Sequence, residues 1–273
     1  MSITKDKNYL ISMEAGTGHA CQLSVALRKY INLNSIYFFK SEFGLDYIDS
    51  EANIGFLLPQ EGNILIIVSS QALDAIYNYF GESYFSRFNR VTVILTDSSF
   101  MAEHERINAM IAEFEVFATN CKMQYREGFP TKVYYQPFKL SVDIVKNKKV
   151  TACHSPFATS SKKSKGTETI ISTFNEIGVD YDLITGVKWE ECIERKSRCD
   201  IFVDQIEHVA GDKGIPENWI GGIGKSGLEA MLLNCAVISR MNAKDYDIPA
   251  PPIILCDKDN FKEKLIFYIN NES

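Results

Sequence analysis

The sequence predicts an α/β fold built from two consecutive halves, each a doubly wound parallel sheet of Rossmann-like plan. Three observations carry that expectation. Strand-like and helix-like segments alternate along almost all of the 273-residue chain, as crossover-connected parallel strands require. The strand-like segments are continuous apolar runs, such as Ile64-Leu65-Ile66-Ile67-Val68. Strands covered by helices on both faces need such runs, whereas half-exposed antiparallel strands alternate. The alternation breaks once, over 136–149, where Pro137 and the lysines Lys146, Lys148 and Lys149 interrupt it. The expected domains are therefore 1–140 and 141–273.

The first half opens with a short buried strand at 9–12, then the loop Gly16-Thr17-Gly18-His19. Leu23, Ala26, Leu27 and Tyr30 recur at helical spacing. Strands follow at 36–39 and 64–68, then a helix carrying Leu73, Ile76, Tyr77 and Phe80. The β-branched run 91–96 ends at Asp97, a helix is expected over 103–114, and strands at 116–118 and 133–135 close this half. The second half reads as strand 150–153, helix 166–177, strand 181–184, helix 189–196 and strand 200–203. A glycine-rich loop, a helix and a strand come next, then a strand at 253–256 and a closing helix at 261–269.

Bulk composition narrows the function classes. Hydrophobic residues at 45% and charged residues at 23% leave enough apolar material for two modest cores. A net charge of −6 disfavours nonspecific nucleic-acid binding, although a local basic patch remains compatible with it. Seven cysteines without a C-x-x-C pair read as reduced thiols, hence a cytoplasmic protein. No signal peptide is visible, and no run approaches the roughly 20 apolar residues of a membrane span.

The most informative stretch is Gly221-Gly222-Ile223-Gly224-Lys225-Ser226-Gly227-Leu228-Glu229-Ala230-Met231, followed by the strand around Val237. A glycine loop that opens a helix presents unpaired N–H groups at the positive end of the macrodipole, a site for phosphate or diphosphate. Glu229 lies about one turn further on, within reach of a sugar hydroxyl on the same ligand. The segment Lys162-Lys163-Ser164-Lys165-Gly166-Thr167 also follows a strand and enters a helix. Lysines at a helix start oppose the macrodipole, so they mark either a solvated basic loop or a place where an anion binds.

Other motifs fail on spacing. Gly224-Lys225-Ser226 ends like a Walker A loop, but the required earlier glycine is Trp219. The Rossmann fingerprint at Gly16 lacks its third glycine, since residue 21 is cysteine. Asp180-Tyr181-Asp182, Asp245-Tyr246-Asp247 and Asp257-Lys258-Asp259 spell D-x-D but read as surface turns, and no His/Cys cluster has metal-site spacing. Metal ligands are therefore not expected.

The string running from Gly224-Lys225-Ser226-Gly227-Leu228-Glu229-Ala230-Met231 to Ala236-Val237-Ile238 resembles the nucleotide-binding segment of GT-B glycosyltransferases. With Lys165-Gly166 the resemblance covers roughly 150–256. It implies two Rossmann-like domains facing across a cleft, with the last helix open to crossing back. It implies a nucleotide-sugar co-substrate, a UDP-sugar, with Lys165, Gly166, Gly224, Ser226, Gly227 and Glu229 on the donor and Lys163 as a second cation. Family members of the retaining type carry two glutamates eight positions apart. Glu229 matches the second, while the first falls on Gly221.

Gly16, Thr17, Gly18 and His19 are similar to a cleft-facing loop of some GT-B enzymes, which implies an acceptor-side role. Asp97, at a strand end, reads equally as a general base toward an acceptor hydroxyl or as a helix N-cap. His19 reads as a catalytic candidate or as a helix-start residue without chemistry. The implied acceptor is a glycan, a lipid-linked sugar or a hydroxymethylated DNA base. The last would need a basic rim, for which Lys146, Lys148, Lys149, Lys162 and Lys163 are candidates. The alternatives are a nicotinamide-dinucleotide enzyme using the Gly16 loop and a non-catalytic sugar-nucleotide binder. Oligomeric state is not readable.

Overall fold

The computed structural model describes residues 7–14, 19–39, 51, 53–55, 57–95, 114–119, 131–134, 142–156, 165–207, 224–240 and 252–271. The chain divides into two compact units, Met1–Lys139 and Leu140–Ser273. Among the described residues each carries one sheet, and every strand pair in both sheets is parallel. The fold is therefore α/β with two parallel-sheet domains.

The first unit runs β1 (Asn8–Glu14), α1 (His19–Leu27), β2 (Leu33–Phe39), β3 (Asn53–Ile54), β4 (Gly62–Val68), α2 (Ser70–Phe80), a 3-10 helix (Glu82–Arg87), β5 (Phe88–Leu95), β6 (Glu115–Thr119) and β7 (Thr131–Tyr134). Its seven-stranded sheet has the order β3-β2-β1-β4-β5-β6-β7, so the winding reverses between β1 and β4. Ile11 pairs with Ile36 on one side and Ile67 on the other. Leu10, Tyr37, Ile66, Val68 and Ile94 form the core with Ala20, Cys21 and Leu23 of α1. The expected helix contact at Tyr30 does not form. α1 ends at Leu27, and Arg28 turns its guanidinium toward the Leu33 carbonyl and the Ser35 hydroxyl. Tyr30 then lies in a turn and is 81% exposed.

The second unit runs β8 (Thr151–His154), α3 (Thr167–Ile177), β9 (Asp180–Leu183), α4 (Trp189–Ser197), β10 (Ile201–Val203), α5 (Lys225–Leu232), β11 (Ala236–Ser239), β12 (Ile254–Leu255) and α6 (Phe261–Asn271). The sheet order is β12-β11-β10-β8-β9, so the winding reverses between β8 and β10. Successive strand residues serve opposite faces, as the pleat requires. Ala152, Ile201, Val203 and Ile238 pack with Ile170 and Phe174 of α3 and Phe261 and Leu265 of α6. Cys153, Phe202 and Val237 pack on the other face with Ile193 of α4 and Ala230 of α5. The closing helix α6 thus has its buried residues in the core of the second unit.

Lys146, in the segment leading into β8, is built into this unit. Its ammonium donates to the Leu233 carbonyl at 3.0 Å and also to the Cys199 carbonyl. Those carbonyls follow the C-terminal ends of α5 and α4, where the macrodipole favours a cation.

Candidate functional site

In an open parallel sheet, ligands bind outside the carboxyl ends of the strands where the winding reverses. In the second unit that place lies beyond β8 and β10. His154 ends β8, and Asp204 directly follows β10. The His154 Nδ1 lies 2.7 Å from the Val203 carbonyl, and its Nε2 lies 2.8 Å from the Thr167 hydroxyl. Burial pushes the imidazole pKa down to about 4, against a smaller upward pull from the Val203 carbonyl. The ring is therefore neutral at pH 7. A carbonyl only accepts, so Nδ1 carries the proton and Nε2 accepts from Thr167. This imidazole ties β8 to both β10 and the first turn of α3, with no proton to exchange near neutrality.

Asp204 organises the next layer. Its side chain is fully buried, and Oδ1 accepts from the Lys165 ammonium at 2.5 Å. Its Oδ2 accepts from the Gly224 backbone N–H at 3.0 Å. Burial by itself raises the Asp204 pKa, but the Lys165 charge, its hydrogen bond and the Gly224 N–H outweigh it and hold the carboxyl below its usual range. One carboxylate thus joins the start of α3 to the start of α5. The Lys165 carbonyl also accepts from the Ile206 N–H at 3.2 Å. The lysine charge that opposes the α3 macrodipole is balanced by Asp204 from within the protein.

Glycine allows close approach at both helix starts. Gly166 has φ +73°, and a Cβ there would meet Ile206 and Glu207 side-chain atoms at 3.0–3.1 Å. Gly224 is extended, but its Cβ would stand 3.3 Å from Asp204 Oδ2. A side chain at residue 224 would press on the carboxylate that holds Lys165.

A second polar cluster joins α4 to α5. Glu229 Oε2 accepts from Lys196 Nζ at 2.8 Å. Its Oε1 accepts from Trp189 Nε1 at 2.6 Å and lies 3.5 Å from Lys225 Nζ. Lys196 is 1% exposed, also donates to Ser226 Oγ at 2.6 Å, and stands 5.1 Å from the centre of the Phe202 ring. Burial alone lowers the Lys196 pKa, yet Glu229 outweighs it and keeps the lysine charged. Burial likewise raises the Glu229 pKa, while Lys196 and Lys225 bring it below the usual value. Across the two clusters, three ammonium groups face two carboxylates.

The structure brings Lys165, Gly166, Gly224, Ser226, Gly227 and Glu229 into one region at the carboxyl edge of the second sheet, and it revises two expected roles. Glu229 does not present a free carboxylate to a sugar hydroxyl, because it is buried and both oxygens are held by α4 and Lys225. The Gly227 N–H is spent on the Gly224 carbonyl at 3.0 Å. Among the described residues, the Ser226 amide and hydroxyl hydrogens find no acceptor. Gly16, Thr17, Gly18, Asp97 and Lys163 lie outside the described residues. So does the side chain of His19, whose backbone opens α1.

Sequence reasoning missed Asp204, Lys196 and Trp189. Asp204 had a usable signal, since a carboxylate ending a buried apolar strand is the pattern that drew attention to Asp97. Lys196 and Trp189 had none, being ordinary residues of an amphipathic helix. Among the described residues no group of three His, Cys, Asp or Glu side chains is arranged to hold a metal. Among the same residues no helix is long and apolar enough to cross a membrane.

No protein-family model matches the sequence, and no curated protein matches it. Among solved structures the chain is similar to the crystal structure of Anabaena HepE in complex with UDP and glucose. The TM-score is 0.62 at 13% identity, covering 97% of this chain and 89% of that one. At that identity the likeness is one of fold, and it spans both α/β domains.

Proposed function

We propose that the protein is a nucleotide-sugar-dependent glycosyltransferase that takes a UDP-sugar as donor. The observation that carries the reading is the joining of Lys165 and the α5 N-terminus, through one buried carboxylate, at the winding reversal of the second sheet. The fold shared with HepE, a protein crystallised with UDP and glucose, supports the choice of nucleotide. As the sugar–oxygen bond breaks, negative charge develops on the departing diphosphate. Lys165 and the unspent donors of Ser226 stabilise that charge without reorganising, which is where fixed donors act most strongly. On this reading the charge is met by side chains and helix ends, so a metal ion is not required.

The acceptor side belongs to the first unit in this reading. Gly16, Thr17, Gly18 and His19 would line the acceptor, with Asp97 drawing the proton from its hydroxyl. Lys146 is turned onto two carbonyls, and Lys149 pairs with Asp180 at 2.9 Å. One of the lysines that would rim a DNA-binding surface, Lys146, is thus already engaged, which favours a glycan or lipid-linked sugar over a modified base. Six unbridged thiols among the described residues support a cytoplasmic setting.

Calorimetric titration with UDP, GDP, ADP and NAD tests the reading. UDP binds, and Lys165→Ala weakens it roughly tenfold or more, the loss of one charge-assisted contact. Binding of NAD alone, or equal UDP affinity in wild type and Lys165→Ala, would refute it. Transfer from UDP-glucose is then screened against glycans and hydroxymethylated DNA.

A further inference from the structure

We propose that Lys196 is a positioning residue that aims the Ser226 hydroxyl hydrogen outward at the donor phosphate, an inference that rests on the glycosyltransferase reading. The argument is one of hydrogen-bond direction. An ammonium has three donors and no acceptor, so in the 2.6 Å contact between Lys196 Nζ and Ser226 Oγ the serine oxygen accepts. The hydroxyl hydrogen is then left to point elsewhere. Ser226 is the second residue of α5, directly after the N-cap Gly224 and the opening Lys225. No acceptor for it stands among the described residues, and the residue is only partly buried. Its backbone N–H is one of the orphan donors of the first turn. The amide and the hydroxyl of one residue thus present two hydrogens to an anion.

Lys196 is itself held so that it can do little else. Glu229 Oε2 takes one of its donors at 2.8 Å, Ser226 takes another, and the Phe202 ring lies against the ammonium. Trp189 holds the other Glu229 oxygen at 2.6 Å. Glu229 therefore acts two steps from the ligand: it fixes Lys196, and Lys196 orients Ser226. This explains why a glutamate one turn into the helix is buried rather than presented to the ligand.

The test is a double-mutant cycle on UDP affinity. Wild type, Ser226→Ala, the neutralised pair Lys196→Met with Glu229→Gln, and the triple variant are titrated with UDP, with folding checked by near-UV circular dichroism. Removing both charges avoids a lone buried ion. Ser226→Ala should weaken UDP about tenfold, as loss of a hydrogen bond to a charged group does. The neutralised pair should weaken it severalfold in the serine background and not at all in the Ser226→Ala background. A purely structural pair would cost the same in both backgrounds, and that additivity would overturn the proposal, as would an unaltered affinity in the neutralised pair. Should the neutralised pair fail to fold, Lys196→Arg takes its place in the cycle, because it keeps the charge and displaces the donors. Absence of UDP binding by wild type would overturn the donor-site reading itself. That outcome is distinct from binding with an additive cycle, which would sink only the role of Lys196.

Discussion

The two units bury different kinds of polar group under similar sheets. In the first, the buried polar residues among those described are neutral: Asn8, Ser12, Gln22, Ser24, Ser35, Ser69, Ser70 and Thr92. In the second they include His154, Lys196, Asp204 and Glu229. Burying an ion costs several kcal/mol before its partner repays any of it, so a fold that needed only stability would do better with apolar residues. The first sheet shows that this architecture stands, over its described residues, without buried charge. The charges of the second sheet cluster where its winding reverses, at the starts of α3 and α5. They are better understood as holding donors in place for a ligand than as a source of stability.

That contrast is open to measurement because both tryptophans, Trp189 and Trp219, lie in the second unit. Tryptophan fluorescence follows that unit, and far-UV circular dichroism follows both. The largest effect is expected for Lys196→Ala, which leaves Glu229 buried without its main partner. The fluorescence transition should lose about 3–5 kcal/mol; a loss below about 1 kcal/mol would mean that the pair is solvated and the contrast false.

Next is acid sensitivity. The ordinary His154 pKa of 6.5 falls to about 4 in the folded protein. Between those values the unfolded chain binds the extra proton, so stability is fully present above pH 6.5 and declines as pH falls to about 4. The decline is on the order of 3 kcal/mol. The lowered Asp204 and Glu229 values extend the loss below their ordinary 3.8 and 4.5. Denaturant titrations followed by tryptophan fluorescence should show this slope, and His154→Asn should flatten its upper part. An unchanged slope in that variant would assign the acid response elsewhere.

Asp204→Asn is expected to cost about 2 kcal/mol, the consequence of weakening two buried hydrogen bonds at once. It should also weaken UDP binding, since Lys165 and Gly224 lose their common anchor. Reduced stability with full UDP affinity would separate Asp204 from the site. The smallest effect belongs to the first unit. Ser69 caps α2 through the Ala72 N–H at 3.2 Å but sits at φ 89°, where side chains are strained. Ser69→Gly gives up the cap and relieves the strain, so far-UV melting should show a gain of no more than about 1 kcal/mol. A loss larger than that would show that the neutral groups of the first unit matter as much as the charges of the second.

Much of this molecule was readable along the chain because the relevant physics is local. A short, β-branched apolar run such as Ile64 to Val68 suits a strand covered on both faces, and it forms β4 between β1 and β5. Leu73 and Ile76 are one turn apart and share a buried face of α2. The glycine loop before Lys225 marked a helix start, and α5 begins there. Tyr30 shows the limit of periodicity, since α1 ends at Leu27 and Tyr30 lies exposed in the turn that follows.

The site was legible only in part. Helix starts at Lys165 and Gly224 follow from sequence, as does the presence of a cation and glycines there. What each of them touches does not. Asp204 is 39 residues from Lys165 and 20 from Gly224, and Lys196 is 30 residues from Ser226. Those distances are closed by the strand order, which sets β10 against β8 although β9 comes between them in the chain. Glu229 carried the right chemistry for a ligand contact, and only the approach of α4 turned its carboxylate inward. The sequence by itself determined the elements, their parallel burial and the place where an anion would be met, because each depends on neighbours within a few residues. The tertiary structure alone decided which charges stay buried as partners and which donors are left for a ligand, because electrostatic pairing depends on contacts made between elements far apart in the chain.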